Sequence, residues 1–127
     1  MTSDVTERRL RRRAAQQLFD ELSDDYFNQP RVNRARMFGS EGLRLDTKFL
    51  AFIGREGQMI IKLPSAQAKA LVSAGEGSAV RAGRTTTREW VGVPAAPRRP
   101  GVEPWRNLIA DAYDYAAVLM PLSTTEQ

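Results

Sequence analysis

Between residues 34 and 63 the chain alternates short apolar runs with glycine-bearing or polar breaks. Partial alternation of this kind predicts strands that rest one face on a core. Phe49, Ala51 and Ile53 fall on one side of such a strand, and Leu50 and Phe52 on the other. Met59, Ile61 and Leu63 share a face further on. Gly39-Ser40-Glu41-Gly42 and Gly54-Arg55-Glu56-Gly57 suit hairpins, because glycine accepts the positive φ of a tight reversal. The expectation is a three-stranded antiparallel meander over 32–38, 42–53 and 58–63. Asp46-Thr47-Lys48 interrupts the middle strand. It reads either as a bulge in one bent strand or as a hairpin of its own, and the bend is preferred.

Helical periodicity flanks this meander. Over residues 4–27, Leu10, Ala14, Leu18, Leu22 and Tyr26 recur every four positions, with Ala15 and Phe19 filling the same stripe. Asp4 and Glu7 have capping-box spacing, and Gln29-Pro30 ends the helix because the residue before proline avoids helical ψ. After Pro64, Ser65 is the expected N-cap of a short alanine-rich helix over 66–74, with Gly75 just past its end. Residues 78–82 and 87–93 read as two further strands around Gly83-Arg84-Thr85, with Val91 and Val93 opposite Trp90. A proline-rich connector over 94–104 leads to a last helix over 105–120. Its stripe is Leu108, Ile109, Ala112, Tyr113, Ala116 and Leu119, and Pro104 sits in its first turn. The predicted order is helix, three strands, helix, two strands, helix. This is a single α+β domain in two layers, an antiparallel sheet with its helices on one face.

Composition narrows the chemistry. The 127 residues are 42% hydrophobic and 27% charged, the balance of one globular domain. No apolar run approaches the roughly 20 residues of a membrane span, and no signal-type apolar segment follows the basic start, so a cytoplasmic protein is expected. With no cysteine and no histidine, thiolate sites, the commonest metal ligand and the commonest general base are absent together. A non-enzyme without metal or cofactor is the expectation. Arginine supplies 16 of the 19 basic residues, against 15 acids. That bias is compatible with nucleic acid or an acidic protein face, and equally with codon usage in a GC-rich genome.

Met37-Phe38-Gly39, Gly42-Leu43, Asp46, Lys48-Phe49, Ala51-Phe52-Ile53 and Ile60-Ile61-Lys62, with Trp90-Val91-Gly92-Val93-Pro94 later, form a moderately specific series. It resembles the N-terminal domain of the TfoX/Sxy competence regulators. The YjbR/MmcQ group, which shares the architecture, is the near competitor. The resemblance implies a small α+β domain of the secretion-chaperone-like type and a role in transcription regulation through protein contacts. It supplies no catalytic set. Asp46-Thr47-Lys48 stands where an Asp-Gly turn is usual, and the arginine-rich first helix has no counterpart in the family pattern.

Three surfaces carry the candidate contacts. Arg8, Arg9, Arg12 and Arg13 crowd one side of the first helix as a basic patch, or as a solvated face with Glu7 and Arg11 spaced for an ion pair. Arg34, Arg36 and Arg44 share a sheet face if the register runs unbroken, as a phosphate-contacting surface or in cross-strand pairs with Glu41, Asp46 or Glu89. Arg84 and Arg88, with Thr85, Thr86, Thr87 and Trp90, have the chemistry to hold a phosphate or a base, or form a plain surface hairpin. The leading expectation is a binding or regulatory module with a protein partner. Direct nucleic-acid binding is the alternative, and a small-ligand binder or carboxylate enzyme the second. A homodimer is compatible with an uncovered sheet face or edge.

Overall fold

The computed structural model describes residues 4–37, 39–95 and 103–119. Helix α1 spans Asp4–Ser23. The strands β1 (Val32–Met37), β2 (Ser40–Leu45), β3 (Lys48–Ile53) and β4 (Met59–Lys62) follow, then α2 (Ser65–Ser73), β5 (Ser78–Ala82), β6 (Thr85–Val93) and α3 (Glu103–Leu119). The six strands form one antiparallel sheet in the order β1-β2-β3-β4-β6-β5. Because β6 lies between β4 and β5, helix α2 carries the chain across the sheet.

The α+β class holds, but the first run of strands is four, not three. Leu45 pairs with Lys48, so Asp46-Thr47 is a hairpin turn and not a bend. Asp46 takes φ +56, a conformation aspartate tolerates through its short polar side chain. At the first hairpin, Met37 pairs with Ser40. Gly39, at φ +81, therefore stands alone of its predicted quartet in the turn, and Ser40 to Gly42 belong to β2.

The core gathers Phe19 and Leu22 of α1, Leu43 and Leu45 of β2, Ala51 and Ile53 of β3, Met59 and Ile61 of β4, Ala68 of α2, Val91 and Val93 of β6, and Trp105, Leu108, Ile109 and Ala112 of α3. Residues of all three helices thus meet one side of the sheet. Trp105 is locked there, its indole N–H donating to the carbonyls of Val93 and Pro94 at 3.2 Å each.

Helix α1 departs from its predicted stripe. Leu10 is 57% exposed and Ala14 is exposed, since a four-residue spacing drifts about 40° per step around a 3.6-residue helix. Ala15, Leu18, Phe19 and Leu22 are the residues that pack. The α-helix also stops earlier than predicted. The Ser23 hydroxyl donates to the Phe19 carbonyl, a back-bond that competes with the helix ladder, and a 3₁₀ turn over Asp24–Asn28 finishes the segment. Ser65 is the first residue of α2 rather than its cap, which is Pro64 with no side-chain capping bond. The Asp4 side chain, the centre of the proline-rich connector and the C-terminal tail lie outside the described residues, as do Phe38 and the Met37 side chain.

Candidate functional site

A register shift between Leu43 and Arg44 breaks the alternation expected along β3. Leu50 and Ala51 are both buried in the core, and Phe49 turns to the opposite face, paired with Arg44. Phe52 pairs with Ile60, and Ile60 with Gly92. Trp90 pairs with Lys62. The face away from the helices therefore carries a row of half-buried aromatics. Phe49 and Phe52 have ring centroids 6.3 Å apart, and Phe52 and Trp90 6.0 Å apart. Arg44 lies over the Phe49 ring at 5.7 Å and donates to Asn33 Oδ1 at 2.8 Å. Gly42 and Gly92 run beneath this row. A Cβ on Gly42 would stand 2.8 Å from the Ala51 carbonyl oxygen and 2.9 Å from the Phe52 Cβ. Part of the aromatic packing is thus structural, covering backbone that has no side chain of its own.

The predicted grouping of Arg34, Arg36 and Arg44 does not form. Arg34 pairs with Leu43 and Arg36 with Glu41, whereas Arg44 pairs with Asn33. Successive residues alternate faces, so Arg44 opposes the other two. Arg34 reaches Glu41 at 3.7 Å, the cross-strand pairing anticipated for it, and lies over the Phe27 ring at 4.6 Å.

The first helix divides its arginines. Arg8 and Arg11 both reach Glu56 in the β3–β4 turn, at 3.3 and 3.8 Å. Arg12 donates to Ser40 Oγ at 2.8 Å, and Ser40 donates to the Ile53 carbonyl at 2.8 Å. Gln16 donates to the Glu41 carbonyl at 3.2 Å. These contacts set the α1 stripe of Arg9, Arg12 and Arg13 beside β1, where Arg36 is exposed. One basic edge results, joining two of the predicted groups.

The third group lies at the far end of the sheet. Ala79 pairs with Val91 and Arg81 with Thr86, so Val80 alone faces Thr87 to Trp90 across the ladder. The Thr87 hydroxyl pins this wide bulge, contacting the carbonyls of Val80 at 2.9 Å and Trp90 at 3.3 Å. The bowed strand opens a cleft of about 460 Å³ under α2. Ser65, Ala66, Ala68, Lys69, Val72 and Ala79 line it with Thr86, Thr87, Arg88 and Trp90. Arg84 sits apart at the exposed hairpin tip. Sequence reasoning missed Lys69, because the α2 crossover that brings it to β6 is a long-range feature with no local signal.

Two polar clusters complete the picture. Glu89 accepts from the Tyr115 hydroxyl at 2.6 Å and meets Lys62 at 3.8 Å. That hydrogen bond, with smaller effects from burial and charge, raises the Tyr115 pKa. Asp46 accepts from Arg31 Nε and Nη2 at 3.0 and 2.6 Å, which lowers the pKa of its carboxyl. The acids at the turns, Glu41, Asp46 and Glu56, are each engaged by an arginine. Among the described residues no group of His, Cys, Asp and Glu is arranged to hold a metal ion, and no helix is long and apolar enough to cross a membrane. Comparison of the chain with protein-family models, curated proteins and solved structures returns no match.

Proposed function

We propose that this chain is a non-catalytic recognition module that docks on a protein partner through the sheet face away from its helices. The observation that carries the proposal is the Phe49–Phe52–Trp90 row, with ring spacings of 6.3 and 6.0 Å and the Arg44 guanidinium at its rim. Half-buried aromatics with an adjacent arginine are the residue types that dominate binding energy at protein interfaces. The net charge of +4 favours a partner whose apolar patch is rimmed by carboxylates. The engagement of Glu41, Asp46 and Glu56 in surface ion pairs supports a non-catalytic role, since none is held in the buried or like-charged setting that tunes a carboxyl for proton transfer. The resemblance to the TfoX/Sxy N-terminal domain supports a cytoplasmic, transcription-linked setting.

Photo-crosslinking tests this reading. A benzophenone amino acid replacing Phe49 in the producing cell is expected to give a discrete protein adduct. The same probe at Val118, which is 76% exposed on α3, is expected to give none. The captured partner, once purified, should bind Arg44→Glu at least about tenfold more weakly than wild type, the loss of a charge-assisted contact. Adducts only to a second copy of this chain, or binding indifferent to Arg44→Glu, would overturn it.

A second reading has its own observation. The α1 stripe of Arg9, Arg12 and Arg13 flanks β1 with Arg34 and Arg36, a basic edge suited to a phosphate backbone. Anisotropy titration with duplex and single-stranded DNA at two salt concentrations separates the readings. Tight, salt-sensitive binding lost in Arg9→Glu/Arg36→Glu supports nucleic acid, and no binding at low salt removes it.

A further inference from the structure

The cleft between α2 and the bowed part of β6 does not belong to the docking face. Its two cations, Lys69 and Arg88, line it from opposite elements. Neither makes an ion pair or hydrogen bond among the described residues. By contrast Arg8, Arg11, Arg31, Arg34 and Lys62 are each matched to a carboxylate. No acidic residue lines the cleft, in a chain with 15 of them. The concentration of uncompensated positive charge in a concavity is the electrostatic condition for holding an anion.

The remaining walls define what the anion is attached to. Ala66, Ala68, Val72 and Ala79 are small and apolar, and Trp90 adds an indole. The volume of about 460 Å³ falls within the range of ordinary small-molecule sites, roughly 300 to 1,000 Å³. The bulge is what makes the room, since four β6 residues from Thr87 to Trp90 bow outward over the single residue Val80. Such bulges re-aim side chains, and this one lies between Arg88 and its neighbour Thr87. The Thr87 hydroxyl holds the bow through the carbonyls of Val80 and Trp90.

We infer that this cleft is a binding site for a small organic monophosphate bearing a flat ring, of the nucleoside monophosphate class. Arg88 presents a planar fork that matches two phosphate oxygens, and Lys69 supplies a second point charge. A phosphate monoester carries about −1.5 to −2 at neutral pH, which the two cations balance. The ring stacks on Trp90 against the alanine wall, and the Ser65 and Thr86 hydroxyls at the margin donate to the phosphate or sugar. An inorganic anion alone leaves the apolar wall unused, and an uncharged ring leaves two cations unpaired.

Backbone-amide NMR titration with adenosine monophosphate tests the assignment, with adenosine and inorganic phosphate as separate arms. Saturable shifts at Ser65, Lys69, Thr87, Arg88 and Trp90 are expected with the monophosphate. Each of the other two probes should bind at least about tenfold more weakly, the loss of one charge-assisted or stacking contribution. Lys69→Ala and Arg88→Ala, both exposed positions, should keep the fold by circular dichroism and weaken binding by a similar factor. Shifts that do not saturate at millimolar ligand, that map to the α1 arginines, or that survive in the double variant would overturn the inference. The docking proposal stands or falls separately, because neither Lys69 nor Arg88 enters its test.

Discussion

Arg31 and Asp46 are the two non-glycine residues with positive φ among the described residues, at 99° and 56°, and they hold one another. The Asp46 N–H donates to the Arg31 carbonyl at 2.7 Å, and both Nε and Nη2 of Arg31 donate to Asp46 Oδ2 at 3.0 and 2.6 Å. Asn33 closes the cluster by donating to the Asp46 carbonyl at 2.9 Å. Left-handed backbone is unfavourable for a side chain as long as arginine. The cluster offsets that cost at the entrance of β1 and at the β2–β3 turn together.

The first prediction follows from this clamp. Asp46→Asn keeps the tolerance for positive φ and removes the charge, so it isolates the ion pair. Its Tm is expected to fall below wild type at neutral pH. The native carboxyl has a lowered pKa because Arg31 hydrogen-bonds it. Its contribution is therefore full above the ordinary aspartate range and disappears as pH falls through the lowered native value. The Tm gap between wild type and Asp46→Asn should close on acidification across that window. A gap that persists unchanged at the acid end would show that the charge is not what stabilises the turn.

The same turn marks where the sequence became hard to read. The other elements followed from local signals: Met59, Ile61 and Leu63 alternate into the core, Val91 and Val93 oppose Trp90, and Gly75 ends α2 at φ +75. Asp46-Thr47 lacks the glycine that announces a reversal, and only the Arg31 clamp makes an aspartate serve there. Sequence alone therefore merged β2 and β3. Phe49 was assigned to the wrong face because the shift between Leu43 and Arg44 breaks strict alternation, and one slipped residue flips every side chain beyond it. The arginines of the candidate site were recognisable by type, but their grouping depends on register and on which way α1 faces. Lys69 next to Arg88 depends on a crossover that no local pattern encodes.

Gly42 gives a prediction about the aromatic face. An added Cβ there meets the Ala51 carbonyl oxygen at 2.8 Å, the Phe52 Cβ at 2.9 Å and the Phe49 ring at 3.0 Å. Two of these three contacts belong to positions the sheet itself fixes. Gly42→Ala should destabilise the chain by about 1–3 kcal/mol, the usual cost of overpacking, read as a lower urea midpoint with the m-value unchanged. Removing the Phe49 ring in Gly42→Ala/Phe49→Ala should not restore stability. Restoration would mean that the ring, rather than the Ala51 backbone, sets the limit.

Trp105 is 1% exposed, and its single donor is shared between the Val93 and Pro94 carbonyls at 3.2 Å each. It thus fastens α3 to the end of β6. Trp105→Phe keeps an aromatic ring but leaves both carbonyls without that donor and a gap where the second ring stood. A loss of about 2–4 kcal/mol is expected from the two effects together. Hydrogen exchange should localise it, with faster exchange along α3 and the Val91 to Val93 end of β6. Uniform acceleration over the whole sheet would instead make Trp105 a general core residue with no fastening role.

Tyr115 and Glu89 provide a test at the alkaline end. The Tyr115 hydroxyl donates to Glu89 Oε2 at 2.6 Å, and this bond is the main reason its pKa is raised. Ionising the phenol removes the donor and sets a phenolate against a carboxylate. The folded state therefore favours neutral tyrosine, so the contribution is present below the ordinary tyrosine value and is lost as pH climbs through the raised native value. Absorbance titration near 295 nm should show one tyrosine ionising later in wild type than in Glu89→Gln. Tyr115→Phe should lower Tm at neutral pH and match wild type once the phenol has ionised. Tyr26 also titrates late, chiefly through burial with a contribution from Asp114, so the Tyr115→Phe difference spectrum is needed to separate the two. A late-ionising component left intact by both Tyr115→Phe and Glu89→Gln would belong to Tyr26, and the Tyr115–Glu89 bond would then carry no pH dependence.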